Sequence, residues 1–228
     1  MPTGSDRTPR AALLVVDVQN DFLPGGALPV PEGDAVIAPI NRLMPLFEEV
    51  VASRDWHPPN HGSFASQHPG HRVGDVVELN GLPQVLWPDH CVQGTVGAEY
   101  APGLNTSAIT HEVLKGTDPG IDSYSAFFDN GHRRSTGLDD YLRRHGIDTV
   151  FVTGLATDYC VKATALDAAR LGYRTYLVED ACRGVDLHPG DVQRAIEEMR
   201  AAGVRVVRTE DVPRVLRGLR EMSRNAQD

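Results

Sequence analysis

The chain is poor in cysteine, with only Cys91, Cys160 and Cys182 among its 228 residues. Such an odd and sparse set does not form the disulfide framework of a small secreted protein. The N-terminus is polar and lacks the apolar stretch of a secretory signal peptide. These absences predict a protein of the reducing cytoplasm.

Positive charge is also scarce, because 22 Lys and Arg residues stand against 31 Asp and Glu residues and leave a net charge of −9. The sequence has no basic stripe that could follow a phosphate backbone or lie on an anionic membrane. Its longest apolar run, Ala11–Val16, is far too short to span a bilayer. We therefore expect a small-molecule substrate, and neither nucleic acid nor membrane as a partner.

Three common motifs are missing. The segment after the first apolar run (residues 17–21) contains no G-x-G-x-x-G, which argues against a bound NAD. Neither a G-x-x-x-x-G-K-[ST] phosphate loop nor a G-x-S-x-G nucleophile elbow occurs in the sequence. The chain is therefore predicted to bind no nucleotide and not to be a serine hydrolase of the elbow type.

Six short runs are rich in Val, Leu, Ile and aromatic residues, and most of them are almost continuously apolar, as are strands buried on both faces. Segments with helical features lie between most of them, at 34–47, 138–145, 160–171 and 191–202. This alternation predicts a single-domain α/β three-layer sandwich, with a mostly parallel six-stranded sheet and helices on both faces. The predicted strands are Ala11–Val16, Glu49–Ser53, His111–Leu114, Thr149–Thr153, Arg174–Val178 and Val204–Arg208.

The expected domain limits are a flexible tail at 1–10 and a folded domain at 11–222. Within that domain, the stretch 56–105 interrupts the alternation, is rich in Pro, Gly and His, and shows no pattern of regular structure. Insertions of this length in a compact domain are usually functional. We therefore expect this stretch to contribute to the site.

Four residues with useful chemistry stand at the carboxyl ends of the predicted strands. The first strand runs into Asp17, the second into Asp55 and the third into Lys115, while Cys160 follows the fourth at the start of a helix. Ligand sites in open α/β sheets form at that edge of the sheet. The sequence therefore predicts that these four side chains meet in one site.

Each of these residues alone has two interpretations. A thiol at a helix start has a lowered pKa and suits a nucleophile, but Cys160 could equally be a small buried apolar residue. Lys115 is either an exposed strand end or a charge that stabilises a thiolate. Asp17 is either a turn residue or the base that takes the thiol proton. Cys91 and Cys182 lack the helix-start position and are interpreted as structural.

The 56–105 stretch also holds five of the nine histidines. His57 follows Asp55 by two residues, and His90 lies far along the same stretch. One carboxylate and two imidazoles suit Zn, Fe(II) or Mn, with coordination positions left for water or substrate. The alternative is a histidine-rich loop that is merely solvated. The five histidines are His57, His61, His68, His71 and His90.

Seven stretches of the sequence match the motifs of a known family. They read LLVVDVQNDF (13–22), SRDWHP (53–58), LWPDHCVQG (86–94), LKG (114–116), DSYSAFFDN (122–130), GLATDYCVK (154–162) and DACRGV (180–185). With them the chain resembles the nicotinamidases, within the isochorismatase-like cysteine hydrolases, over about residues 11–210. Relatives in the wider superfamily share the Asp, Lys and Cys but not the metal motif, so the combination is specific.

The resemblance implies a role for each of these residues. The catalytic triad is Asp17, Lys115 and Cys160, and the metal ligands are Asp55, His57 and His90. Whether His61 is a further ligand stays open, because related enzymes differ there. The resemblance also implies a cis peptide between Leu155 and Ala156, and an oxyanion hole formed by the N–H groups of Ala156 and Cys160. The implied substrate pocket is lined by Phe22, Trp87, Tyr124 and Leu155.

The activity implied by the resemblance is hydrolysis of nicotinamide to nicotinate and ammonia through a thioester, with pyrazinamide as a second substrate and NAD salvage as the role. The implied cofactor is one divalent transition metal, Zn first, with Fe or Mn as alternatives. A homodimer is one oligomeric state compatible with the sequence.

Three rival functions are weighed against this one. The first is another amidohydrolase of the same superfamily, which the ligand set and the aromatic pocket residues disfavour. The second is a non-haem iron oxygenase, because one carboxylate and two histidines form its facial triad, although such enzymes are usually all-β. The third is a non-catalytic relative, disfavoured by the complete triad.

Overall fold

The computed structural model describes residues 10–224, and these form one parallel six-stranded sheet between two layers of helices, with a separate two-stranded hairpin. The strands are β1 (Arg10–Val16), β2 (Glu49–Asp55), β3 (Val76–Leu79), β4 (Leu82–Val85), β5 (His111–Lys115), β6 (Ile147–Leu155), β7 (Arg174–Arg183) and β8 (Arg205–Val207). In the six-stranded sheet every pair is parallel, and the order is β5-β2-β1-β6-β7-β8. The helices are α1 (Ile37–Leu43), α2 (Leu138–Arg144), α3 (Lys162–Arg170), α4 (Asp191–Ala201) and α5 (Val212–Arg224).

The two sides of β1 explain how the layers pack. Leu13 and Val15 point into a core that includes residues of α1 and α5, whereas Ala12, Leu14 and Val16 point into a second core with residues of α2, α3 and α4. Side chains alternate across a strand, so a strand covered on both faces must be apolar at every position. The predicted three-layer α/β fold is confirmed.

The order of the strands creates a switch point between β1 and β6. From β1 the chain first builds outward through β2 to β5, and it then returns to β6 on the other side of β1. A crevice opens at the carboxyl ends of strands where the winding direction changes. The ends of β1 and β6 therefore lie beside a natural binding site.

Several predicted elements differ from the structure. The stretch 56–105 contains a β3–β4 hairpin, although no regular structure was predicted there. The helix predicted at 34–47 is reduced to α1, flanked by single 3-10 turns, with Pro39 in the first turn, where a missing N–H is tolerated. Helix α5 was not predicted. Arg10, assigned to the tail, begins β1, and the rest of the tail lies outside the described residues.

No helix within residues 10–224 is long and apolar enough to cross a membrane.

Candidate active site and metal centre

The carboxyl ends of β1, β2, β5 and β6 bring the four predicted polar residues together. The Nζ atom of Lys115 lies 2.8 Å from Oδ2 of Asp17 and 3.4 Å from Sγ of Cys160, and it also pairs with Oδ1 of Asp55. All four side chains are buried, and Lys115 is only 2% exposed. The sequence prediction that they meet at one edge of the sheet is confirmed.

Asp17 is held in place by its neighbour on β2. The Ser53 hydroxyl donates a 2.6 Å hydrogen bond to Oδ1 of Asp17, and the Asp17 N–H donates to the Ser53 carbonyl at 3.1 Å. Asp17 also has a φ of 49°, in the left-handed region that Asp tolerates better than most residues. This arrangement leaves Oδ2 directed at Lys115.

Two buried carboxylates, Asp17 and Asp55, share the single ammonium group of Lys115, and their pKa values shift in opposite directions. Burial raises the pKa of Asp17 above its ordinary value, and Lys115 offsets this only in part. Burial also disfavours the charged form of Asp55, but Lys115 and His57 hold the pKa of that carboxyl well below its usual range. Burial alone would lower the pKa of Lys115, yet the two carboxylates raise it well above normal. Asp17 is therefore the better proton acceptor of the pair.

The pKa of Cys160 differs from the sequence expectation. Cys160 lies in a π-helical turn, Thr157–Val161, which precedes α3, so it is near a helix start as predicted. Burial nevertheless raises the pKa of its thiol well above the ordinary value, and Lys115 opposes this effect only in part. This direction is opposite to the expected lowered pKa, because burial disfavours the charged thiolate. The thiol needs a base to become a nucleophile.

The backbone before this turn has the predicted cis peptide between Leu155 and Ala156. Gly154 precedes it with a φ of 112°, and its Cα faces the β1 backbone so closely that a Cβ would lie 2.1 Å from the Val16 carbonyl oxygen. Only glycine fits where β6 lies this close to its neighbour β1.

A second cluster adjoins the first through Asp55. The Nε2 atoms of His57 and His90 lie 3.5 Å and 3.7 Å from Oδ2 of Asp55. Each ring donates its Nδ1–H to a backbone carbonyl, His57 to Gly116 at 2.8 Å and His90 to Pro88 at 2.7 Å. These bonds fix the tautomer that leaves Nε2 free to bind a metal.

A further observation indicates that Asp55, His57 and His90 fit a transition metal. The Nε2 atom of His57 is buried and has no hydrogen-bond partner. A buried polar atom without a partner is costly unless something else binds it. The ligand atoms of Asp55, His57 and His90 all lie within 4.8 Å of one another, close enough to share one ion.

His61 is close to this cluster but differs in its hydrogen bonds. The rings of His57 and His61 are tilted by 36° with centroids 4.1 Å apart, and His61 could share an ion with His57 and Asp122 by distance alone. The Ser63 N–H donates to Nδ1 of His61 at 3.2 Å, whereas Nδ1 of His57 and of His90 each faces a backbone carbonyl. The Nε2 atom of His61 is nevertheless buried without a hydrogen-bond partner, as is that of His57. Whether His61 is a further ligand therefore stays open. The remaining histidines of this stretch, His68 and His71, lie outside both groups.

A cavity opens beside both clusters and has mostly apolar walls. Trp87 donates its indole N–H to the Tyr124 hydroxyl at 3.1 Å, which fixes two of these walls. Leu155, predicted for the pocket, is instead buried in the core on the α1 side of the sheet. The lining residues are Phe22, Leu28, Val30, Asp55, Trp87, His90, Asp122, Tyr124, Ala156, Tyr159, Cys160 and Val185.

Comparison with known proteins agrees with this geometry. The profile of the isochorismatase domain matches residues 11–211. The chain is 56% identical over 199 residues to the nicotinamidase of Escherichia coli, covering 86% of this chain and 93% of that protein. This chain belongs to the isochorismatase family.

Two solved structures place it further within the family. A nicotinamidase and pyrazinamidase of Acinetobacter baumannii superposes with a TM-score of 0.87 at 48% identity, covering 90% of this chain and all of that one. A pyrazinamidase of Pyrococcus horikoshii, solved with zinc, has a TM-score of 0.72 at 42% identity, covering 88% and 99%. The chain thus falls among the nicotinamidases of the isochorismatase family.

Two side chains in this isochorismatase-family pocket were not singled out from the sequence. Tyr159 packs edge-on against Trp87 at a centroid distance of 5.0 Å and against Tyr124 at 5.6 Å. Asp122 is a buried carboxylate that accepts hydrogen bonds from the Ser123 N–H and the Gln84 amide. Both lie in the matched motifs, and a signal for Tyr159 was available, because it directly precedes Cys160.

Proposed function

We propose that this chain is a metal-dependent nicotinamidase that hydrolyses nicotinamide to nicotinate and ammonia, and also acts on pyrazinamide. The main support is the contact between two clusters, because Asp55 belongs to the metal donor set and also pairs with Lys115. Aromatic pocket walls suit a flat ring. The activities named for the Escherichia coli, Acinetobacter and Pyrococcus proteins support the same substrates.

The chemical steps follow from the positions of three side chains. Asp17 takes the thiol proton of Cys160, and the ammonium of Lys115 stabilises the thiolate. The sulfur attacks the carboxamide carbon, and the N–H groups of Ala156 and Cys160 hold the oxyanion. Asp17 then gives the proton to the departing ammonia. Water, deprotonated by Asp17, hydrolyses the thioester to nicotinate and restores the thiol.

Asp55, His57 and His90 would hold one divalent metal, for which we propose zinc, with Fe or Mn as alternatives. When bound there, the metal would supply a Lewis acid for the ring nitrogen of the substrate. The zinc in the Pyrococcus structure and the unpartnered Nε2 atom of His57 support this choice. Phe22, Trp87 and Tyr124 would enclose the ring.

The cellular setting belongs to the same proposal. Three free and buried cysteines suit a reducing compartment, so we propose the cytoplasm and a role in NAD salvage, where nicotinate is reused. The rival oxygenase is disfavoured, because the sheet is parallel with helices on both faces. A homodimer stays a prediction.

The direct test measures ammonia release from nicotinamide and pyrazinamide by the purified protein, before and after dialysis against a chelator. We expect turnover of both substrates, loss after dialysis and recovery on adding zinc. Benzamide, which lacks the ring nitrogen, serves as the control substrate and should turn over much more slowly. A protein that releases no ammonia from nicotinamide in any metal state would contradict the proposed function.

A further inference from the structure

Asp21 connects the loop that carries Phe22 with the segment that carries His90. The N–H of Cys91 donates a 2.7 Å hydrogen bond to Oδ2 of Asp21, and the N–H of Ala27 donates to Oδ1 at 3.2 Å. Cys91 has a φ of 45°, in the left-handed region, directly after His90. The Asp21 carboxylate therefore stabilises the bend at Cys91 and so fixes the position of the preceding residue, His90.

The space around this carboxylate is tightly limited by Gly97. A Cβ at Gly97 would lie 2.1 Å from Oδ2, 2.4 Å from Cγ and 2.5 Å from Oδ1 of Asp21. A real Cβ cannot approach so closely, so any larger residue at position 97 would displace the carboxylate. Asp21 thus rests directly on the backbone of a third segment.

The neighbouring Gln19 forms a similar link to the other end of the metal donor set. Its side-chain amide donates to the Asp55 carbonyl at 2.8 Å and accepts from the Asp55 N–H at 2.8 Å. The segment that follows Asp17 therefore contacts the backbone beside two of the three candidate ligands. Phe22, directly after Asp21, packs against the His90 ring at a centroid distance of 5.6 Å.

We propose that Asp21 is a positioning residue that sets His90 relative to Phe22 and so couples metal affinity to binding of the substrate ring. The inference rests on the proposed function, since it takes His90 as a ligand and Phe22 as a pocket wall. Asp21 itself does not line the cavity, so it acts through the Cys91 and Ala27 amides. Without both acceptor oxygens, the loop that carries Phe22 and the segment that carries His90 can move independently.

The test uses Asp21→Ala, which removes both acceptors, and Asp21→Asn, which keeps the shape and loses one of them. Zinc affinity is measured by competition with a chromophoric chelator, and kcat and KM for nicotinamide are measured at saturating zinc. We expect the zinc Kd to rise by about 10- to 100-fold in Asp21→Ala, as for other groups that orient a ligand. The KM should rise about tenfold with kcat changed less than about threefold, and Asp21→Asn should lie between.

The matched control is Asp180→Ala, because Asp180 accepts the backbone N–H and the hydroxyl of Thr209 outside the pocket. It should leave zinc Kd and KM unchanged. Gly97→Ala adds a Cβ that would displace the Asp21 carboxylate, so it should reproduce the effects of the Asp21 variants. Gly218→Ala is its control, because a Cβ there has nothing within 4 Å, and it should not reproduce them.

The outcomes separate the inference from the proposed function. Wild-type protein that binds no zinc or releases no ammonia contradicts the proposed function itself. Active wild-type protein together with Asp21 and Gly97 variants of unchanged zinc Kd and KM overturns the inference alone. A rise in KM without any change in zinc Kd also overturns it, because the two effects are then not coupled.

Discussion

The ammonium group of Lys115 lies 3.4 Å from the sulfur of Cys160, at the centre of a cluster in which every charged group is buried. The same group contacts Asp17 and Asp55, so one cation balances two carboxylates. When Asp17 takes the thiol proton, the negative charge moves from its carboxylate to the sulfur, which also faces this ammonium. The Lys115 charge therefore determines how readily Cys160 becomes a nucleophile.

Replacement of Lys115 by Met should slow the reaction of Cys160 with iodoacetamide. Burial already raises the thiol pKa, and Lys115 is the group that lowers it, so removing the charge raises that pKa further. At a fixed pH less thiolate is then present, and the alkylation rate should fall by about tenfold or more. Mass spectrometry of the Cys160 peptide over a pH series measures this rate.

Lys162→Met is the matched control, since Lys162 begins α3 only two residues from Cys160 but pairs with Glu198. Its alkylation profile should match that of the wild type. An unchanged profile for Lys115→Met, in protein whose melting curve shows a folded state, would place the Lys115 charge outside the thiol chemistry.

Replacement of Cys160 by Ala should abolish ammonia release from nicotinamide by about 10⁴-fold or more, the scale seen when a covalent nucleophile is removed. Cys182→Ala is the control, because Cys182 is buried in the core, where its pKa is raised to about 12, and it is outside the cavity lining. Comparable ammonia release by wild-type protein and Cys160→Ala would exclude the thioester.

The parts of the structure predicted from the sequence are those in which a local pattern and a topological rule agree. Asp17 follows a continuous apolar run and Lys115 ends a short strand, and parallel strands place such ends at one edge of the sheet. No knowledge of distant contacts is needed for that step. The motif residues of the family resemblance reinforce this prediction, and the same motifs contain the residues of the metal cluster.

The parts that were not predicted depend on contacts between distant segments. The high thiol pKa of Cys160 results from burial under other elements, whereas the helix-start argument considers only its own turn. The β3–β4 hairpin has strands of only four residues, VVEL and LPQV, in which apolar and polar residues do not alternate as they do in strands identified from sequence. The hydrogen bond from Ser63 to His61 likewise could not be read from spacing.

Removal of single candidate ligands should lower zinc content and turnover together. His57→Ala and His90→Ala should each reduce bound zinc from about one equivalent and lower turnover by more than about tenfold. His71→Ala, in the same stretch but half exposed and outside the cluster, is the control. Zinc is measured by elemental analysis after gel filtration, and full occupancy in both ligand variants would refute the assignment.

The pH dependence of zinc binding follows from the same imidazoles. Burial alone would lower the pKa of His57, but the Asp55 carboxylate raises it above the ordinary value of 6.5. A protonated imidazole cannot bind the metal, so zinc affinity should fall as pH decreases, beginning above pH 6.5. In His57→Ala this part of the pH dependence should disappear. Isothermal titration between pH 5.5 and 8 measures it, and an affinity that is flat across this range would contradict the assignment of His57 as a metal ligand.

Gly116 provides a test of the metal site that changes no ligand. Its carbonyl oxygen accepts the Nδ1–H of His57 at 2.8 Å, and it has a φ of 64°. A Cβ added there would lie 2.4 Å from Cε1 of His57, so Gly116→Ala should rotate or displace the imidazole and weaken zinc binding by about tenfold or more.

The control must separate this clash from backbone strain, because alanine in the left-handed region costs about 1–2 kcal/mol wherever it occurs. Gly94 meets this need, since its φ is 76° and a Cβ there would have nothing within 4 Å. Gly94→Ala should therefore lose a similar amount of stability in thermal melting but keep the wild-type zinc Kd. Equal zinc affinities in the two alanine variants would mean that the position of the His57 ring does not control metal binding.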